Sequence, residues 1–538
     1  MKRRIVAILT ALLLVTLLVA ACGGDNGGTD PTPAPAPSTP SPAAPSPGTP
    51  AAPPPVDEYT GKTHLNWAHG AFPPSMDPTL INDMPGAQVR VLVYDTLLYF
   101  DSNMELQYGL ATGYNFVDPQ TVVLQIREGV QFHNGETLTA EDVAWSLTRA
   151  GQAPQVAAIA NMIDKAEVTG ANEVTLYLEF PFGPILAHIA HGATGILHKG
   201  TVERMGVEAH ELAPVGTGPF MVTSMITGDS IELARNNNYW GNIPVLETIS
   251  IRVIPDETMR SLELEAGAVD LISNVAFTDF ERLSNNPDIT TYVLPNLSTN
   301  FVGFNAQKAP FDDVRVRQAI AYAIDNEAIL ANVHRGLTTP VNGPIADSVW
   351  GSVAAELPGF PYNPDKAREL LTEAGFPDGF STTIWLNETV ERQTIATIVQ
   401  AQLRLVGVEV DIQVLEWGAY LDGTGAGEHD MFILGWVSVT GDPDYGLYPT
   451  YHTDSWGDAG NRARYSNERV DELIMTGRTS ADQNVRLQAY AEAQRIIAEE
   501  VPTMWVNQGS ERFATGAEWK GYVLHPAGYH SITTMFTD

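Results

Sequence analysis

The stretch LATGYNFVDPQTVVLQIREGVQFHNGETLTAEDVAWSL, residues 110–147, decides the fold class. Val122, Leu124 and Ile126 alternate with Thr121, Val123, Gln125 and Arg127, the period-two pattern of a half-buried strand. Asn134-Gly135 supplies a turn. Thr139 then stands three residues before Asp142, the spacing of a helix cap, and Val143 and Leu147 lie four apart on one helical face. A strand, a turn and a capped helix in one continuous segment predict α/β structure.

The same grammar recurs downstream. Asn363 reads as an N-cap with Pro364 at the first helical position. Ala367, Leu370, Leu371 and Ala374 fall at i, i+3, i+4 and i+7, and Gly375 closes the helix. A longer helix is predicted from Glu391 to Val406, with Ile395, Ile398, Val399 and Leu403 inward and Gly407 at its end. Val408–Val414 and Asp430–Val437 read as strands. Strand–helix alternation of this kind builds a sheet covered by helices. No internal repeat at solenoid periods is visible. The 538-residue length predicts two or three domains.

Upstream, the chain reads as processing and spacing sequence. Lys2, Arg3 and Arg4 precede an apolar run from Ile5 to Val19 and then Ala20-Ala21-Cys22, the layout of an export signal. The run is short for a membrane span, which wants about 20 apolar residues. Cys22 is the single cysteine, so no intramolecular disulfide can form. Residues 23–59 are rich first in Gly and then, from Pro31 to Pro55, in Pro, Ala, Ser and Thr. Proline at that density favours an extended tether with a reach of roughly 80 Å.

The formal charge is −34, and removal of the basic leader makes the remainder more acidic. That balance argues against nucleic acid and against adhesion to anionic lipid, and it names no ligand. Catalytic signatures are missing. His210-Glu211 begins like a zinc-protease helix, but Pro214 stands where the second His belongs. Gly423, Gly425 and Gly427 lack the strand, helix and downstream acid of a dinucleotide site. His188 and His191, three apart, have no Cys or carboxylate at ligand spacing and read as structural. Asp442-Pro443-Asp444 lacks the Gly and distal Glu of a calcium loop. Paired acids for glycoside chemistry stay open among 64 acidic residues. The expectation is a binding protein without metal or cofactor.

Six segments, in order, resemble the peptide, oligopeptide, nickel and glutathione receptors of ABC importers, the family-5 solute-binding proteins. They are residues 110–147; PVGTGPFMV at 214–222 with NNNYWG at 236–241; NFVGFNAQKAPFDDVRVRQAIAYAID at 300–325; YNPDKARELLTEAGFPDGF at 362–380; EWGAYL at 416–421 leading into HDMFILGW at 429–436; and YSNERVDELI at 465–474 followed by VPTMWV. The sequence Leu18-Val19-Ala20-Ala21-Cys22 likewise resembles a bacterial lipobox, in which the Cys carries the lipid.

The resemblance implies a two-lobed periplasmic-binding-protein type II fold with an extra subdomain in lobe I. Mapped here, lobe I comprises 60–90, 213–295 and 511–538, its subdomain 91–212, and lobe II 296–510, after a signal at 1–22 and the tether at 23–59. Gly216, Gly218 and Pro219 form a tight turn. The implied function is an extracytoplasmic, lipid-anchored receptor, monomeric, that passes a peptide or small solute to ABC permease subunits. A sensory receptor of the same fold and a secreted hydrolase are the alternatives.

Candidate cleft residues are Trp417, Trp436, Thr440, Asp442, Asp444 and Tyr445, with Trp350 and Arg392 behind them. Each tryptophan has core packing as its alternative, Arg392 a surface position, and Asp442 turn formation before Pro443. One position departs from the family. In dipeptide and oligopeptide receptors an Asp three residues beyond the Trp holds the ligand's α-ammonium; here that position is Val439. The run GWVSVTGDPDYGL at 435–447 resembles the glutathione branch instead, with Thr440 and Asp442 as replacement anchors.

Overall fold

Local chemistry sets the elements where the sequence is patterned. Val122, Leu124 and Ile126 point inward from a strand at Thr121–Ile126 and are buried, each stabilising the fold by roughly 1.5–3 kcal/mol relative to exposure. Thr139 and Asp142 form a reciprocal capping box at the helix Ala140–Gly151. The Asn363 side chain accepts the backbone N–H of Lys366 at the start of Pro364–Glu373, with Ala367, Leu370 and Leu371 buried. The longer helix is Val390–Arg404, capped by Thr389. Its Ile395, Val399 and Leu403 are buried, and Gly407 beyond it is left-handed. The Gly-spaced stretch at 423–427 lies at the end of a helix, Trp417–Ala426, rather than in a nucleotide-binding loop.

The computed structural model describes residues 53–81, 83–457 and 460–538. The expected signal at 1–22, Cys22 and the tether as far as residue 52 lie outside the described residues. In chain order the strands begin with β1 (His64–His69), β2 (Leu98–Phe100), β3 (Leu106–Tyr108) and β4 (Ala111–Asp118). Next come β5 (Thr121–Ile126), β6 (Ile163–Gly170), β7 (Glu173–Leu178), β8 (Phe220–Ile226) and β9 (Ser230–Arg235). They are followed by β10 (Thr248–Val253), β11 (Leu271–Ser273), β12 (Ile289–Phe304) and β13 (Phe380–Asn387). Then come β14 (Val408–Leu415), β15 (Met431–Val437) and β16 (Thr503–Gly516), followed by the short pair β17 (Val523–Leu524) and β18 (His530–Ser531).

Ten strands make one sheet in the order β14-β13-β15-β12-β16-β11-β1-β10-β9-β8. The two lobes of the fold meet within it. β12 and β16 pair antiparallel along most of their length, from Ile289↔Gly516 to Gly303↔Thr503. The last part of β16 pairs with β11 on one side, and the last part of β12 pairs with β15 on the other. The register slips between Pro295 and Thr299. A bulge is where a paired strand can bend. Asn296 fixes it: its Nδ2 donates to Glu511 and its Oδ1 accepts from the Ser298 backbone and hydroxyl.

Strands β4 to β7 form a separate antiparallel sheet, in the order β4-β5-β7-β6. Its apolar face belongs to the same buried cluster as Val341, Ile345, Tyr445, Tyr490 and Trp505, far away in sequence. The Gly216–Pro219 turn lies under the helix Met84–Val93. A Cβ on Gly216 would sit 2.0 Å from the Val93 carbonyl oxygen, and one on Gly218 would sit 2.6 Å from that of Leu92. Only glycine permits that approach.

Candidate functional site

The expected cleft residues gather in two places. The first follows β15. Trp436, the last residue but one of that strand, is half-buried, and its indole N–H donates to the Tyr445 carbonyl at 2.6 Å, with the two rings 5.5 Å apart. Thr440 is buried, and its hydroxyl accepts the backbone N–H of Asp442. Asp442 caps the helix Pro443–Tyr451 by accepting the Asp444 backbone N–H at 3.0 Å.

Both acidic side chains already hold arginines. Arg486 donates to both oxygens of Asp442 at 2.7 Å. Its guanidinium lies 5.1 Å from the ring of Trp350. Arg478 donates to Asp444 at 2.7 Å, with the two side chains 2% and 1% exposed. The Arg478 guanidinium also stacks on Tyr448, Phe182 and Phe180, at 3.8, 4.8 and 5.7 Å from their ring centres.

This buried charge cluster joins two distant parts of the chain. Phe180, Phe182 and His188 come from the segment that follows β7; Asp444, Arg478 and Arg486 come from the helices after β15. The Gly183 backbone N–H donates to the Arg478 carbonyl across the junction at 2.9 Å. His188 Nδ1 donates to the Ile159 carbonyl, which leaves Nε2 3.7 Å from Asp444. Burial pushes the His188 pKa down to about 4, so the ring is neutral and that contact is not an ion pair.

The second place lies at the ends of β13 and β14. Arg392 donates to Asn387 at 2.7 Å and lies 5.9 Å from the Trp417 ring. Trp417 is 46% exposed and stacks on Tyr420 at 5.7 Å.

A cavity of about 1190 Å³ opens beside Val439. It is lined by Arg90 of the helix Met84–Val93, by Asp95, His191, Trp240 and Tyr529, and also by Pro53–Pro55 at the end of the Pro-rich segment. Val439 is buried and presents no hydrogen-bonding side chain there. Asp95 accepts from Thr217, Tyr239 and Trp240 at 2.8, 3.1 and 2.8 Å. Burial raises its pKa despite those donors. Burial lowers that of His191 to about 3. Sequence reasoning noticed His191 only as half of a His pair, and it missed Arg90, Tyr529 and the two buried arginines. Arg486 did carry a signal: it shares a helical face with Ala489, Tyr490 and Ala493, and an arginine on a buried stripe needs a partner. Among the described residues no group of three His, Cys, Asp or Glu side chains is placed to hold a metal. None of the described helices is long and apolar enough to cross a membrane.

The family model described as bacterial extracellular solute-binding proteins, family 5 Middle, matches residues 105–458. The glutathione-binding protein GsiB of Pectobacterium atrosepticum is 31% identical over 466 residues, 84% of this chain and 90% of that one. Heme-binding protein A of Haemophilus influenzae is 28% identical over 482 residues, 83% and 87% of the two chains. Among solved structures, the periplasmic binding protein DppA of Helicobacter pylori in complex with the peptide STSA superimposes with a TM-score of 0.80 at 28% identity. That match covers 89% of this chain and 99% of the other.

Proposed function

This chain belongs to the bacterial extracellular solute-binding proteins, family 5, a binding protein and not an enzyme, and on that premise we propose that it captures a glutathione-like or short peptide solute between its lobes for an ABC importer. The observation that carries this reading is the cavity beside Val439, just beyond the end of β15. Val439 lines it from the segment after β15, and Trp436, with Trp417 and Arg392 at another strand end, is proposed to meet the ligand when the lobes close. Thr440, Asp442, Asp444, Tyr445 and Trp350 hold that segment in place with Arg478 and Arg486. Lobe I is taken as 60–90, 213–295 and 511–538, with its subdomain at 91–212 and lobe II at 296–510.

Closure follows from differential binding: a ligand favours the closed form only through contacts that the open form lacks. A cognate solute therefore raises the melting temperature by mass action and lowers the radius of gyration in solution scattering. Glutathione and short peptides are the solutes to screen. Tight binding without compaction would rule out capture between moving lobes.

The body is proposed to be monomeric and held at the outer face of the membrane by lipid on Cys22, within reach of its permease. Replacement of Cys22 by Ser is expected to move the protein from the membrane fraction to the soluble one. A variant that stays as firmly membrane-bound as the parent excludes lipid at Cys22 as the anchor.

A further inference from the structure

Hydrogen-bonding capacity is unevenly spent around the cavity. Two carboxylates line it, and the protein's own donors occupy both. Asp95 holds the three donors described above. Asp101 Oδ1 accepts the backbone N–H groups of Asn103 and Glu105 at 2.9 and 3.0 Å, and its Oδ2 accepts from Gln107 at 3.0 Å. Three of the roughly four acceptor sites on each are therefore filled. Val439 offers none, so a ligand ammonium placed against it finds no side-chain acceptor at that position.

The unspent groups are donors. His191 Nδ1 accepts the Ala193 backbone N–H at 3.0 Å, which puts the proton of the neutral ring on Nε2. That Nε2–H has no partner among the described residues, although the residue is only 7% exposed. The Tyr529 hydroxyl has none either. Arg90 lies close enough for its charge to lower the proton affinity of both groups. Its guanidinium donates to the Ser75 carbonyl, and to the Asp83 carbonyl and carboxylate. Tyr445 packs against the His191 ring at 6.0 Å.

Resting on the receptor reading above, we propose that Arg90, His191 and Tyr529 bind a carboxylate of the peptide-like ligand at the Val439 side of the cavity, where other peptide receptors of the family bind an ammonium. The ligand's orientation, or its chemistry, is then reversed at this end. His191 and Tyr529 are the residues that read it, and Arg90 supplies favourable potential.

Calorimetric titration tests this with glutathione and the dipeptide Met-Leu, each free, N-acetylated and C-amidated. In the parent, N-acetylation is expected to change affinity little and C-amidation to weaken it about tenfold or more. The double variant His191→Asn, Tyr529→Phe should lose that discrimination. Asn keeps an acceptor for the Ala193 N–H, and Phe removes only a hydroxyl, so circular dichroism should be unchanged. Binding abolished by N-acetylation but not by amidation overturns the proposal, as does an amidation penalty that survives in the double variant. Equal affinity for all three forms overturns it and leaves the receptor reading intact; failure of every form to bind removes both.

Discussion

Replacing Arg478 by Ala is expected to lower the stability of the body by about 3–5 kcal/mol, as breaking one side of a buried ion pair does. The change strips Asp444, 1% exposed in the parent, of its cation and leaves the Tyr490 hydroxyl at 3.5 Å and a neutral His188 nearby. It also removes the flat cation lying against Tyr448 and Phe182. Arg478→Lys separates these effects, because it keeps the charge and loses the planar stack. Urea denaturation of the two variants beside the parent measures both. A loss under about 1 kcal/mol for Arg478→Ala would mean that water reaches Asp444 and solvates it.

Gly183→Ala is expected to weaken binding of the best solute from the peptide screen at least about tenfold. The added Cβ would lie 2.1 Å from the Ser480 carbonyl oxygen and 3.2 Å from Arg486 Nε. Real contacts to backbone oxygen are far longer, so one of the two surfaces must retreat. Gly183 and Ser480 belong to different parts of the body, on either side of the buried charge cluster. The substitution therefore acts first on their contact. Ligand-induced compaction in scattering should shrink together with affinity, while the far-ultraviolet dichroism stays that of the parent. Unchanged affinity would show that this contact is the same in the ligand-free and ligand-bound forms.

Elements whose causes are local were legible in the sequence. Thr139 with Asp142, Asn363 with Pro364, and the alternation at Thr121–Ile126 each carry their reason within a few residues. The segments quoted from Leu110 to Val506 were enough to place the family. The site was legible only in part, because its partnerships are long-range. Arg478 finds Asp444 and Arg486 finds Asp442 at separations of 34 and 44 residues. No spacing rule links them. Val439 stood out because one motif position should have been acidic. The groups that line the same cavity, Arg90, His191 and Tyr529, come from three separate segments that only the folded chain assembles.

The two long central strands carry a consequence for how the molecule comes apart. β12 and β16 are hydrogen-bonded to each other, and they join the β15 side of the ten-stranded sheet to its β11 side. Melting one lobe strips the other of a stretch of its central sheet, so neither half has a complete core to stand on alone. Unfolding is thereby made cooperative across both lobes. Cutting the chain between the lobes would yield two fragments that fold only when mixed, not two smaller receptors.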